Sequence, residues 1–90
     1  MKAHKDTSKQ IGRVYVAMVH RCVVDGEPVS LYEIQSHIMR HHKVIDSETA
    51  ISARIRDLRR IGKETGEFTI PPARIRKKGS ALREYRLVLS

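Results

Sequence analysis

The sequence predicts an α+β fold in which three helices precede a two-stranded β-hairpin. Up to about residue 63, apolar residues recur at spacings of three and four, which is the period of helices with one buried face. After Gly62 the apolar and polar residues alternate, as they do in strands that are buried on one side. Because the chain has only 90 residues, it has room for one small domain with a modest core.

The first six residues offer little to pack, so we expect residues 1–6 to be a flexible N-terminal arm and residues 7–90 to form the domain. Thr7 and Gln10 have the spacing of a capping box, which predicts that the first helix begins there. The sequence DGEP at residues 25–28 should end it, since Gly permits a left-handed turn and Pro cannot continue a helix. The side chains expected on its buried face are Ile11, Val14, Tyr15, Met18 and Cys22, with Val16, Val19, Val23 and Val24 beside them.

A second helix is predicted from another capping box, formed by Ser30 and Glu33. It should begin at Leu31 and end near His42. Val44 and Ile45 are then expected to pack inward in a short turn. Either Asp46 or Ser47 should cap the third helix.

The third helix, residues 47–63, is predicted to have two dissimilar faces. Its apolar stripe contains Ile51, Ile55, Leu58 and Gly62, whereas the opposite face contains Thr49, Ser52, Ala53, Arg56 and Arg60, with Arg54 and Arg59 on the flanks. Small side chains let a helix approach a surface closely, and arginine binds guanine edges and phosphates. This pattern is the one expected of a helix that enters the DNA major groove. Taken alone, it fits an ordinary solvated surface helix equally well.

Beyond the third helix, two segments are candidates for the first strand of the hairpin. Residues 67–70 alternate up to the Pro71–Pro72 pair, and residues 73–77 resume the alternation after it. From Ala73 to Arg83 inclusive there are five basic residues and no acid. Such a run is often only a solvated hairpin. Here it follows an arginine-rich helix, which favours a shared anionic partner for both.

The overall charge also indicates a polyanionic partner. A formal net charge of +8 and a pI near 10.2 are high for so short a chain, and nucleic acid is the leading candidate. No apolar run approaches the roughly 18 residues that a membrane span needs, so we expect no membrane association and a cytoplasmic protein. The single cysteine, Cys22, excludes an intramolecular disulfide and fits a reducing compartment.

Catalytic and metal-binding motifs are not predicted. His37 and His41 are four residues apart, a spacing that can hold a metal ion, with His20, His42 and Cys22 as further candidate ligands. A structural zinc site needs four converging ligands, and neither a CxxC nor an HExxH pattern occurs. No nucleophile–base arrangement or glycine-rich phosphate loop is present either. We therefore expect no metal, no cofactor and no enzymatic activity.

The predicted order of elements resembles that of winged helix-turn-helix DNA-binding domains, over about residues 10–89. The most specific part of the resemblance is ISARIRDLR at residues 51–59, followed by Gly62 and, after a basic turn, by YRL at residues 85–87. These runs are similar to those of small winged-helix proteins from bacteriophage and prophage genomes. The resemblance implies binding to double-stranded DNA, with residues 47–63 as the recognition helix and residues 73–86 as a basic wing.

The resemblance also implies particular contact residues. Those expected at base edges are Thr49, Ser52, Ala53 and Arg56, those expected at phosphates are Arg60, Lys77 and Lys78, and Arg54, Arg59 and Arg76 are expected beside them.

The role expected from this resemblance is that of a small, phage-encoded regulator of transcription, replication or recombination. The alternative is a winged-helix module that binds a protein of a replication or transcription complex, and a homodimer or a partner from the host machinery is also left open. RNA binding has less support, because recognition of single strands usually needs exposed aromatic side chains and this chain has few.

Overall fold

The computed structural model describes residues 3–75 and 82–90 and contains three main helices followed by short antiparallel strand pairs. The helical segments are a 3₁₀ turn at Ala3–Lys5, α1 at Gln10–Val19 with a π-helical continuation at His20–Val24, α2 at Leu31–His42 and α3 at Glu48–Thr65. The strands are β1 at Phe68–Thr69, β2 at Arg74–Ile75, β3 at Arg83–Glu84 and β4 at Val88–Leu89. This α+β arrangement confirms the predicted fold class and is consistent with a winged helix.

Both candidate segments for the first hairpin strand form strands. β1 pairs antiparallel with β4, with Phe68 opposite Leu89, and β2 pairs antiparallel with β3, with Arg74 opposite Glu84. β1 and β2 therefore form the outgoing arm of the hairpin, and β3 and β4 form the returning arm. Between β1 and β2 lies the Pro71–Pro72 pair, which interrupts the ladder because proline has no N–H to donate.

The returning arm is also tied to the segment before α2. The Val29 N–H donates to the Tyr85 carbonyl at 2.9 Å, and the Tyr85 N–H donates to the Val29 carbonyl at 2.7 Å. Both side chains are buried. The sequence did not predict this bridge, because a single paired residue leaves no alternating pattern.

The core forms around the predicted apolar stripe of α3. Ile51, Ile55 and Leu58 are at most 1% exposed, and Gly62 is buried beside them. They belong to one cluster with residues of the other helices and of the hairpin, namely Val14, Tyr15, Ala17, Met18, Val29, Ile34, Ile38, Phe68, Ile70, Tyr85 and Leu87. A Cβ at position 62 would lie 2.5 Å from the Phe68 carbonyl oxygen, so glycine allows β1 to cross α3 closely. The predicted face of α3 that meets the core is confirmed.

The second helix is also as predicted. α2 begins at Leu31 and ends at His42, and the Ser30–Glu33 capping box is complete, with both reciprocal hydrogen bonds formed. The helix ends at Lys43, which adopts a left-handed conformation with φ of 57°.

The first helix differs from its prediction at both ends. It begins at Gln10 without a side-chain cap, because the Asp6 carboxylate accepts hydrogen bonds from the Ser8 N–H and hydroxyl and holds residues 7 and 8 in a turn. The prediction of a capping box formed by Thr7 and Gln10 is therefore wrong. At the other end, Val23 and Val24 are exposed rather than buried. The chain there is a π-helix, so the 3.6-residue period does not extend through it.

The expected flexible arm is wrong for residues 3–6, which fold back over α1; residues 1 and 2 lie outside the described part. His4 is only 4% exposed, and its ring centroid lies 5.1 Å from that of Tyr15 and 5.7 Å from that of Phe68. The Asp6 backbone passes so close to Gly12 that a Cβ there would collide with the Asp6 carbonyl. The ring contacts of His4 thus hold the segment against the core, and glycine at position 12 leaves room for the Asp6 backbone.

In the turn between α2 and α3, Ile45 is 73% exposed, so its predicted packing is wrong, whereas Val44 is partly buried against the core. Of the two candidate caps, Ser47 is the one used, since its hydroxyl accepts from the Ala50 N–H at 3.1 Å. Asp46 instead points into the protein and is 5% exposed.

Asp46 forms a buried polar network that joins the turn to α1 and α2. Its carboxylate accepts from Arg13 Nε at 3.1 Å, from Arg13 Nη2 at 3.2 Å and from Gln10 Nε2 at 3.0 Å. Its carbonyl accepts from Gln35 Nε2 at 3.0 Å. Burial alone would raise the pKa of Asp46, but the hydrogen bonds from Arg13 and Gln10 outweigh burial and hold that pKa below its ordinary value of 3.8. The network therefore fixes where α3 begins.

We expect Asp46→Ala to lower the free energy of unfolding by about 3 to 5 kcal/mol, because it leaves the Arg13 guanidinium buried without its carboxylate. Asp57→Ala is the matched control, since Asp57 pairs with Arg54 at a more exposed position and should cost at most about 1 kcal/mol. Urea unfolding followed by circular dichroism measures both. Equal losses in the two variants would show that the network does not hold the turn.

Candidate nucleic-acid interface

The outward face of α3 presents the four residues that were predicted to contact base edges, together with Arg60, which was predicted to contact phosphate. Thr49, Arg56 and Arg60 are exposed, and Ser52 and Ala53 are partly exposed. These residues lie on the side of α3 opposite the buried stripe. Ser47 caps the start of the helix, and Gly66, with φ of 72°, caps its end. The sequence thus builds a rigid 18-residue helix with small side chains beside two arginines.

Two arginines on this face have no charged partner within residues 3–75 and 82–90. Neither Arg56 nor Arg60 forms an ion pair or a side-chain hydrogen bond with another residue in the described ranges 3–75 and 82–90. By contrast, Arg13 is paired with Asp46 and Arg21 with Glu33. The guanidinium groups of Arg56 and Arg60 are therefore available to an anionic ligand.

A groove of about 330 Å³ separates α3 from the hairpin. It is lined by Ser52, Ile55, Arg56, Arg59, Pro72, Ala73, Arg83 and Tyr85. Arg83, at the start of β3, is exposed and lies across this groove from Arg56. The sequence prediction did not select Arg83, although it ends the acid-free basic run that begins after Ala73. The groove brings a helix arginine and a hairpin arginine to one surface.

Arg59 has a different environment from the one predicted. Its Nε donates to the Ile70 carbonyl at 2.9 Å, and its Nη2 donates to the Pro71 carbonyl at 3.3 Å. These carbonyls belong to the segment where the prolines interrupt the strand. Arg59 therefore joins the hairpin to α3, a structural role that the sequence did not predict, and its predicted contact with DNA stays a prediction.

Arg54 lies on a different side of α3 from Arg56, and its predicted contact with DNA stays a prediction. Because it precedes Arg56 by two residues, it projects about 160° away from it around the helix. Its Nη2 lies 3.2 Å from a carboxylate oxygen of Asp57, one turn later. Arg54 is thus the partner of Asp57 and does not share the face of Arg56 and Arg60.

The remaining predicted contacts, Arg76, Lys77 and Lys78, lie outside the described residues. The strands that flank them carry exposed Arg74 and Arg83. Lys63, one turn after Arg60, is exposed as well and was not predicted. The basic surface therefore includes α3 and both described strands next to the hairpin tip.

The candidate metal ligands are only partly brought together. His20, His37 and His41 form a cluster of rings between the end of the first helix and α2. Within the described residues, no three His, Cys, Asp or Glu side chains are placed to hold a metal ion. Cys22 is half-buried, and burial raises the pKa of its thiol above the ordinary value.

Comparisons of this chain with protein-family models, with curated proteins and with solved structures found no match. Among the described residues, no helix is both long enough and apolar enough to cross a membrane.

We expect Arg59→Ala to lower the free energy of unfolding by about 1 to 3 kcal/mol, because the hydrogen bonds to the Ile70 and Pro71 carbonyls are lost. Arg60→Ala should change it by less than about 0.5 kcal/mol, since Arg60 is exposed and has no described partner. Thermal or urea unfolding compares the two neighbouring arginines directly. Equal stability of both variants would contradict the structural role of Arg59.

Proposed function

We propose that this protein binds double-stranded DNA, with α3 in the major groove and the basic hairpin against the phosphate backbone, as a small regulator of transcription, replication or recombination. The observation that carries the proposal is the pair of exposed arginines on α3, Arg56 and Arg60, without ion-pair partners in the described ranges and beside small residues. Arginine in this setting can bind guanine O6 and N7 together or a phosphate.

The shape of α3 supports the same proposal. Its 18 residues extend about 27 Å, and the major groove is about 12 Å wide, which admits one helix. Close approach of the helix to the bases requires small side chains on the face that enters the groove. Ser52 and Ala53 are such side chains and lie next to Arg56. In this arrangement Thr49, Ser52, Ala53 and Arg56 meet the base edges.

The hairpin adds a second set of charges to the same surface. Arg83 lies across the groove from Arg56, and Arg74 is exposed on the neighbouring strand. Phosphates follow both edges of the major groove, so cations beside a groove-bound helix would meet the backbone. Lys77 and Lys78, which the sequence predicts to belong to the basic wing, are proposed to extend this contact, as is Arg60 on α3.

A protein-interaction module is the second candidate function. Two apolar side chains favour it: Met39 is 45% exposed and Ile45 is 73% exposed. With Gln35, Ser36 and Arg40 they line a shallow groove on α2 and the turn after it. Wild-type protein that binds no duplex at low salt would favour this candidate over DNA binding.

The contribution of Arg56 can be measured with a duplex selected from a random pool by mobility shift. We expect Arg56→Ala to weaken binding to the selected duplex by about 1 to 3 kcal/mol and to change binding to random duplexes little, because a base contact carries sequence information. An equal loss on both kinds of duplex would show that Arg56 contacts phosphate.

For Arg83→Ala we expect weaker binding to all duplexes alike and a slope of log K against log salt that is smaller by about 0.9, because one phosphate contact is lost. Arg40→Ala is the matched control, since it removes the same charge from an exposed position on α2. A slope that falls equally in both variants would indicate a general charge effect and contradict a contact by Arg83.

A further inference from the structure

Three imidazole rings meet where the end of the first helix packs against α2. The ring centroids of His37 and His41 are 4.2 Å apart, those of His20 and His37 are 5.3 Å apart, and those of His20 and His41 are 6.4 Å apart. His20 begins the π-helical segment, whereas His37 and His41 are one turn apart on α2. The cluster therefore joins two elements whose contact supports the helix-turn-helix pair.

His37 is the member of the cluster whose environment is least suited to a proton. Its Nδ1 is buried and has no hydrogen-bond partner among the described residues. Burial lowers the pKa of His37 from 6.5 to about 4, and the positive charges of His41, His20, His42 and Arg40 contribute to the same direction. His37 is therefore a neutral, packed ring at pH 7.

The charged groups around the cluster do not compensate for a charge on His37. Arg21 and Arg40 add positive charge on either side, and Tyr32 and Ser36 are neutral neighbours. Of the two acids that line the same cavity, Asp25 lies 3.8 Å from His20 Nδ1, and Glu33 pairs with Arg21 at 2.8 Å while it also caps α2. Both acids are thus engaged with other groups.

We propose that the cluster of His20, His37 and His41 is an acid-sensitive latch that holds α2 against the first helix at neutral pH and releases it when His37 takes up a proton. Release removes the support of α3, because Ile34 and Ile38 of α2 pack in the same core as Ile51 and Ile55. The latch concerns the stability of the helix-turn-helix pair and does not depend on what α3 binds.

The direction of the pH effect follows from proton linkage. An unfolded or released His37 has an ordinary pKa of 6.5, whereas the packed ring has a pKa of about 4. Between these values the released state binds the proton and the packed state does not, so the unfolding equilibrium constant rises as the pH falls. The rise should be about tenfold between pH 7.5 and pH 5.5, and it should level off below about pH 4.

The test is urea unfolding of the whole chain at pH 7.5 and pH 5.5, in buffer that contains a chelator, for the parent protein, His37→Gln and His42→Gln. His42→Gln is the control, because it removes a histidine of the same helix whose ring makes no stacking contact with the cluster and whose charge lowers the pKa of His37 less than burial does. We expect the unfolding constant of the parent and of His42→Gln to rise about tenfold, and that of His37→Gln to rise less than threefold. The same rise in His37→Gln would overturn the proposal.

A titration of the parent protein followed by histidine NMR provides a second test that needs no variant. His37 should begin to titrate well below pH 6, together with the onset of unfolding. A native His37 that titrates near pH 6.5 without loss of structure would also overturn the proposal.

Discussion

The ion pair between Arg13 and Asp46 is the interaction on which the position of α3 depends. It joins residues 33 apart in sequence. The Asp46 carboxylate also accepts a hydrogen bond from Gln10, and the Asp46 carbonyl accepts one from Gln35. Asp46 directly precedes Ser47, the cap of α3, so the direction in which α3 leaves the turn is set by α1 and α2 together. A buried ion pair is a weak source of net stability, but it strongly disfavours arrangements that leave either charge unpaired. The apolar stripe of α3 then completes the core in that one register.

This constraint also separates the arginines into two groups. Arg13, Arg21, Arg54 and Arg59 are engaged with carboxylates or backbone carbonyls; Arg54 pairs within α3, and the other three join different segments of the chain. Arg56, Arg60 and Arg83 have no such partners among the described residues; Arg56 and Arg83 line the groove between α3 and the hairpin, and Arg60 is exposed one turn after Arg56. Because the engaged arginines hold α3 and the hairpin in place, the remaining ones form one surface with a fixed geometry. Such preorganisation is what a readout of DNA by side chains would require.

The sequence predicted what depends on neighbours in the chain and missed what depends on distant partners. The Ser30–Glu33 cap and the stripe of Ile51, Ile55 and Leu58 were correct, because capping boxes and helical periods are local signals. The structural role of Arg59 was missed, because it depends on carbonyls 11 and 12 residues away. The predicted capping box of Thr7 and Gln10 does not form, because Asp6 and Ser8 form a competing turn and Gln10 binds Asp46. The function proposed for the outward face of α3 stays a prediction.

The central claim, that the outward face of α3 and the hairpin bind duplex DNA, is tested most directly by NMR of the labelled protein during titration with a selected duplex of about 16 base pairs. We predict that the largest amide shift changes occur from Thr49 to Lys63 and at Arg74 and Arg83, and that they weaken as salt is added. The amides of His37 and Met39 on α2 should change little. Shift changes centred on Met39 and Ile45, or none at low salt, would contradict the account.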